Sequence, residues 1–136
     1  MIVLDASLMV EWLLRKDRAA VYPTIYAALS QAQVRVPAHW PLEIGNAFQP
    51  DLRSSDLSIF DLHELIIEFD HIDIRVMPPL ALDEIAPLAQ FAASNGLTTY
   101  DAAYVQLALS HEATLATLDR AMRAAAQRLN IPLLPA

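Results

Sequence analysis

Short apolar runs alternate along the chain with longer segments in which apolar residues recur every three or four positions. The first pattern predicts β-strands and the second predicts helices. The predicted strands are Ile2–Leu4, Val34–Val36, Ile72–Val76, Thr114–Leu118 and Pro132–Leu134. The predicted helices are Ala6–Arg15, Tyr22–Ala32, Pro41–Pro50, Ser58–Asp70, Leu82–Ser94, Thr99–His111 and Arg120–Leu129. Because alternating strands and helices connect by right-handed crossovers, the pattern predicts a three-layer α/β/α fold with a central parallel sheet.

Two helices carry additional local signals. The segment Ser58–Asp70 has the clearest amphipathic pattern, and its predicted inward residues are Ile59, Leu62, Leu65, Ile66 and Phe69. Asn95-Gly96 is a good helix C-cap, and Pro50 is expected to end the helix that begins at Pro41.

The length and composition describe one domain. A chain of 136 residues predicts a single unit over residues 1–136, and 55% apolar residues with only two glycines argue against disorder. No cysteine is present, which excludes disulfides, thiol nucleophiles and cysteine-ligated zinc and is compatible with a cytoplasmic protein. No apolar run is long enough to span a membrane, and no signal peptide is expected.

The net charge of −7 comes from one part of the chain. Nine acidic and two basic residues lie between Asp51 and Glu84, whereas the other residues carry seven of each sign. The acidic balance argues against nucleic-acid binding when it is taken alone. Its confinement to one segment weakens that argument.

Several familiar kinds of site are excluded by the residues present. The two glycines, Gly45 and Gly96, cannot build a glycine-rich phosphate loop. The four histidines share no metal-ligand spacing, so surface or capping roles are expected for each. No serine or threonine lies in the glycine elbow of a serine hydrolase.

Four acidic residues remain as candidates for a site: Asp5, Glu43, Asp101 and Asp119. Each lies just after a predicted strand or in the first turn of a helix, so all four fall at the carboxyl edge of a parallel sheet. Taken one at a time, each has an ordinary explanation as a helix cap, as part of a capping box with Thr98, or as a charge that favours the helix dipole. Taken together, unpaired carboxylates repel one another unless protons or a divalent cation intervene. Oxygen ligands without His or Cys select Mg²⁺ or Mn²⁺ and are suited to metal-assisted phosphoryl transfer.

Four segments of the sequence resemble PIN-domain proteins, and more narrowly VapC-type toxins of bacterial toxin–antitoxin pairs. They are Ile2–Ser7, Pro37–Ala47, Leu97–Tyr104 and Leu115–Arg120, in the family's order over almost the whole chain. The most specific is Thr98-Thr99-Tyr100-Asp101-Ala102-Ala103-Tyr104.

The resemblance implies a Mg²⁺-dependent endoribonuclease that a small antitoxin protein inhibits and that is often a homodimer. Carried over by position, Asp5, Glu43, Asp101 and Asp119 form its catalytic metal site, with Asp5 and Asp101 as the expected direct ligands. Ser7, Asn46 and Thr117 match the supporting polar residues. No organic cofactor is implied.

One segment departs from the family. Relatives usually continue after Asn46-Ala47 with a helix rich in Arg and Lys, whereas Phe48-Gln49-Pro50-Asp51 is expected to break the helix here. Other bases would then contact phosphate, and the candidates are Arg15, Lys16, Arg18, Arg120 and Arg123, unless these simply form a solvated surface.

Three other interpretations assign the chain to different classes of protein. A haloacid-dehalogenase-type phosphatase is excluded because it requires an acid two residues after Asp5, where this chain has Ser7. A phosphoacceptor receiver domain is excluded because it requires a Lys late in the chain, and the only Lys is Lys16. The remaining alternative is a PIN-like interaction module that binds partners without cleaving RNA.

Overall fold

The chain folds around a parallel five-stranded sheet. In this computed structural model, which describes residues 1–14 and 21–136, the strand order is β3-β2-β1-β4-β5. The strands are β1 Ile2–Leu4, β2 Val34–Val36, β3 Ile74–Val76, β4 Thr114–Ala116 and β5 Leu133–Leu134. The helices are α1 Ala6–Leu14, α2 Val21–Ser30, α3 Trp40–Arg53, α4 Ile59–Ile67, α5 Ile85–Asn95, α6 Thr99–Ser110 and α7 Arg120–Arg128. The predicted three-layer α/β/α fold is confirmed.

The central strand β1 sets the register of the sheet. Ile2 lies opposite both Val34 and Thr114, and Leu4 lies opposite Ala116. All three residues of β1 and of β2 are buried, as expected of strands that are covered on both faces. The five strands therefore end together at one edge of the sheet.

Helix α6 supplies much of the cover beside β1. Its inner residues Ala102, Val105 and Ala108 are fully buried and small enough to allow close approach to the sheet. Helix α5 ends at Gly96, which adopts the left-handed conformation (φ +68°) as the sequence predicted. The two helices pack on each other through a small apolar cluster of Leu88, Ala92 and Ala102.

Helix α3 does not end where the sequence predicted. It runs from Trp40 through Pro50 to Arg53, so the expectation that Phe48-Gln49-Pro50-Asp51 breaks the helix was wrong. Pro50 removes only the N–H that would bond to the carbonyl of Asn46, and the chain continues to a backbone hydrogen bond from Ser54 to Pro50 (3.0 Å). Phe48, which is fully buried, holds this part of the helix on the core.

Helix α4 buries a narrower stripe than predicted. Leu62 and Phe69 are buried and Leu65 packs against them, but Ile59 and Ile66 are 64% and 38% exposed. At 100° per residue, those two isoleucines lie on one flank of the stripe. Residues 68–70 continue in tight i→i−3 turns rather than in the α-helix that the sequence predicted.

Within residues 1–14 and 21–136, no helix combines the length and apolar character needed to cross a bilayer.

Candidate active site

All four predicted acidic residues lie at the carboxyl edge of the sheet. Asp5 directly follows β1, and Glu43 lies in the first turn of α3, which follows β2. Asp101 lies in the first turn of α6, and Asp119 precedes α7 shortly after β4 ends. The backbone N–H of Asp5 donates to the carbonyl of Ala116 (3.0 Å), which ties this residue to the neighbouring strand.

Asp5 is the most buried of the four, at 3% exposure. Its carboxylate accepts hydrogen bonds from the Thr117 hydroxyl (2.7 Å), the Ser7 hydroxyl and the Ser7 backbone N–H (3.3 Å). Burial raises the pKa of Asp5, the hydrogen bonds from Ser7 and Thr117 oppose this rise, and the nearby charge of Glu43 adds to it. Two of the predicted supporting residues, Ser7 and Thr117, therefore contact the site.

Asn46 lies on α3 one turn after Glu43. It is exposed on α3, and no hydrogen bond joins it to an acid within the described parts of the chain. Its predicted supporting role stays a prediction.

Glu43 is held by a tyrosine from α6. The hydroxyl of Tyr104 donates to Glu43 Oε2 (2.5 Å), and the Tyr104 side chain is completely buried. The pKa of Tyr104 is raised, first by burial, then by its hydrogen bond to Glu43 and by the charges of Glu43 and Asp5. Tyr104 thus remains a neutral donor that fixes the orientation of the Glu43 carboxylate.

His39 also belongs to this site, although a surface or capping role was predicted for it. It occupies the N-cap position of α3, yet its side chain makes no capping hydrogen bond. Its Nε2 atom is buried and lies 3.5 Å from Glu43 Oε1 without forming a hydrogen bond. The ring packs edge-on against Tyr100 and Tyr104, with centroid distances of 5.5 and 5.3 Å. The i,i+4 spacing of His39 and Glu43 at the start of a helix was the sequence signal for this contact.

Asp101 and Asp119 form the second pair of acids, and both also lie at helix caps. Thr98 Oγ1 accepts from the backbone N–H of Asp101 (3.1 Å), and Asp119 Oδ1 accepts from that of Met122 (2.8 Å). Burial raises the pKa of Asp101, which the Thr98 hydroxyl partly opposes, and the charge of Asp119 raises it further. The capping explanation holds for Asp119, whereas Asp101 is partly buried and has the charge of Asp119 nearby.

Thr117 connects the two pairs. Its Oγ1 atom donates to Asp5 and accepts from the backbone N–H of Asp119 (3.0 Å), and the residue is fully buried. The arrangement is therefore two pairs of carboxylates, Asp5 with Glu43 and Asp101 with Asp119, linked through one hydroxyl. We call these four residues the acid cluster.

The chemistry of the acid cluster suits a hard divalent cation, since its donors are carboxylate and hydroxyl oxygens and two of its carboxylates carry raised pKa values. Among the described residues, no group of three or more His, Cys, Asp or Glu side chains is placed to hold a metal ion.

Two of the predicted phosphate contacts lie beside the acid cluster. Arg120 is exposed at the start of α7, and the Arg123 guanidinium donates to the backbone carbonyl of Thr117 (2.9 Å). The other candidates, Arg15, Lys16 and Arg18, lie outside the described residues.

Comparison with known proteins agrees with this architecture. No curated protein sequence matches the chain. The crystal structure of PAE2754 from Pyrobaculum aerophilum is similar in fold, with a TM-score of 0.67 and 22% sequence identity over 98% of this chain and 89% of that one. The sequence matches the PIN domain family over residues 2–128. A match over nearly the whole chain, together with a parallel sheet that brings acidic residues to its carboxyl edge, shows that this chain belongs to the PIN-domain family, a family of nuclease-type fold.

Proposed function

We propose that this protein is a metal-dependent endoribonuclease that hydrolyses RNA phosphodiester bonds at the acid cluster. The observation that carries the proposal is the buried Asp5 carboxylate, which shares hydrogen bonds with Thr117 and lies close to the charge of Glu43. Burial of a carboxylate that lacks a cationic partner costs free energy, even when it accepts hydrogen bonds as Asp5 does. A bound divalent cation would supply that partner.

In this proposal Asp5 and Asp101 hold Mg²⁺ or Mn²⁺ directly, and Glu43 and Asp119 complete the site directly or through water. When bound, the cation supplies an activated water and neutralises charge on the phosphate that is cleaved. The chain's own residues orient the site: Tyr104 fixes Glu43, while Thr117 and Ser7 fix Asp5. The donor set supports this assignment.

Cleavage of a defined RNA panel tests the proposal. EDTA or the substitution Asp101→Asn should each reduce the rate by orders of magnitude, since both remove the means of activating water. Asp70→Asn makes the same chemical change at an exposed acid outside the cluster and should cleave like the wild type. Unchanged cleavage in excess EDTA would contradict the mechanism.

The non-catalytic alternative has one observation in its favour. Within residues 1–14 and 21–136, no three carboxylates are grouped closely enough to hold a metal ion. A module that only binds partners needs no such group. The same panel decides between the two functions, because such a module cleaves no RNA in Mn²⁺ while it remains folded.

We further propose that the protein is a toxin in the cytoplasm and is silenced by a small antitoxin. The acid cluster supports this, because an Arg from an amphipathic partner segment could pair with its carboxylates in a bidentate manner and exclude metal or substrate. Co-expression with the antitoxin should restore growth and yield a stable complex, and the absence of both would count against the pairing. A homodimer is part of the same proposal, and the solution mass of the purified protein tests it.

A further inference from the structure

A groove of about 500 Å³ opens beside the acid cluster and has no role in the site described so far. Helix α6 forms one side of the groove along its whole length, and the segment after β3 with helix α5 forms the other. Tyr100, Gln106 and Ser110 line the first side, and Pro78, Leu80 and Leu88 belong to the second. Its volume lies within the roughly 300–1,000 Å³ of pockets that bind small organic molecules.

The groove is continuous with the acid cluster. Tyr100 directly precedes Asp101, and its ring packs against His39 at 5.5 Å. His39 also lines the groove, and its Nε2 atom lies 3.5 Å from Glu43. A ligand in the groove would therefore lie next to any group that is bound at the carboxylates.

The lining favours an uncharged, flat and partly polar ligand. Among the described residues, neither Lys nor Arg lines the groove, and its titratable side chains are Glu84, His39, His111 and Tyr100, so the lining carries no permanent cation for a phosphate. The aromatic ring of Tyr100 is 66% exposed and so is open to stacking. The Gln106 amide adds hydrogen-bonding groups, and Ser110, whose hydroxyl donates to the carbonyl of Gln106 (2.8 Å), lies at the far end of the groove.

We propose that this groove is a nucleobase subsite, which holds one unpaired base of the RNA beside the phosphate at the acid cluster. The base stacks on Tyr100, and its polar edge is directed along α6 toward Gln106. Single-stranded nucleic acid is bound in this way by other proteins, through aromatic stacking beside hydrogen-bonding groups. The proposal rests on the proposed nuclease function and assigns to it a preference for the nucleotide next to the cleaved bond.

Binding of free ribonucleosides tests the subsite apart from cleavage. Adenosine, guanosine, cytidine and uridine carry no phosphate, so they can be titrated in EDTA while the backbone amide signals are followed by NMR. At least one nucleoside should shift the signals of Tyr100 and Gln106 but not that of Phe60, which is 79% exposed on α4. Tyr100→Ala should weaken this binding on the order of tenfold, and Tyr100→Phe should retain it, because stacking needs only the ring.

Cleavage of a random-sequence RNA gives the second readout. Tyr100→Ala and Gln106→Leu should each raise KM and broaden the nucleotide preference at the cut. Phe60→Ala is the matched control and should change neither the preference nor KM.

The possible failures are distinguishable. A wild type that binds nucleosides in the groove but cleaves no RNA would overturn the nuclease function and leave the subsite in place. Cleavage whose preference and KM do not change in Tyr100→Ala and Gln106→Leu would overturn the subsite, as would nucleosides that shift no signal in the groove. Conversion of a dimer to a monomer by Tyr100→Ala would also overturn it, since the groove would then be a subunit interface.

Discussion

The buried Asp5 carboxylate lowers the stability of the folded protein at neutral pH. Burial raises its pKa above the unfolded value of about 4, despite hydrogen bonds from Ser7 and Thr117 that favour the charged form. Between those two pKa values the folded protein binds more protons than the unfolded chain. The contribution of Asp5 to the free energy of unfolding is therefore present below the unfolded pKa and is lost as pH rises through the folded pKa.

Asp5→Asn should stabilise the protein at neutral pH in EDTA, because it replaces a buried carboxylate of raised pKa with a neutral amide. Asn has nearly the same shape, keeps one acceptor oxygen for the hydroxyls of Ser7 and Thr117, and no longer carries a buried charge. Thermal melts at pH 4 and pH 7 measure the effect, and the advantage of the variant should shrink at the lower pH.

Asp61→Asn is the matched control, because the pKa of Asp61 is shifted in the opposite direction to that of Asp5. Hydrogen bonds from the Ser58 backbone and hydroxyl lower the pKa of Asp61, so its contribution is present above the unfolded pKa and is lost as pH falls. This exposed residue completes the capping box of α4, and its substitution should lower the melting temperature at pH 7. If both variants are destabilised at pH 7, the acid cluster exerts no repulsion on Asp5.

At the scale of single elements, the sequence predicted which segments are helices and strands better than it predicted where they end. The type and order of the five strands follow from apolar runs that are too short to form helices. The sequence did not predict the extent of α3, because a proline near the end of a helix removes only one hydrogen bond. Tertiary packing through the buried Phe48 outweighs that loss. The exposed flank of α4 did not follow either, since periodicity gives the direction of an apolar face but not how much of it the core covers.

Pro50→Ala should stabilise α3 by about 1 kcal/mol, less than the roughly 3 kcal/mol that proline costs in a helix interior. The new N–H can bond to the carbonyl of Asn46, but Pro50 is exposed, so water already satisfies part of this demand, and proline stiffens the unfolded chain. Urea unfolding measures the change. Pro41→Ala provides the comparison, because Pro41 lies in the first turn of the same helix, where proline is well tolerated. A Pro50→Ala variant that is less stable than the wild type would show that the ring itself is needed for packing.

At the scale of the whole molecule, the acidic balance and the acid cluster are separate features. The segment from Asp51 to Glu84 carries the net −7, and the cluster residues all lie outside it. Sequence reasoning located the four acids because parallel strands carry their carboxyl ends to one edge. It could not find how Tyr104 serves the site, because the contacts of Tyr104 with Glu43 and His39 depend on how α3 and α6 pack. The link through Thr117 likewise depends on the pairing of β1 with β4.

Because the acid cluster lies outside the acidic segment between Asp51 and Glu84, metal binding at the two places can be told apart. If the acid cluster binds a divalent cation only when the chain is folded, millimolar Mn²⁺ or Mg²⁺ should raise the melting temperature of the wild type. The expected gain is about 2.7 kcal/mol when the free metal concentration is 100 times the dissociation constant. Asp5→Asn should gain much less, because it lacks one proposed ligand, whereas Asp70→Asn should gain as much as the wild type. Melts of the three proteins in EDTA and in Mn²⁺ measure these differences. Equal gains in all three would assign the metal to the acidic surface between Asp51 and Glu84, and a gain in none would mean that the acid cluster holds no cation.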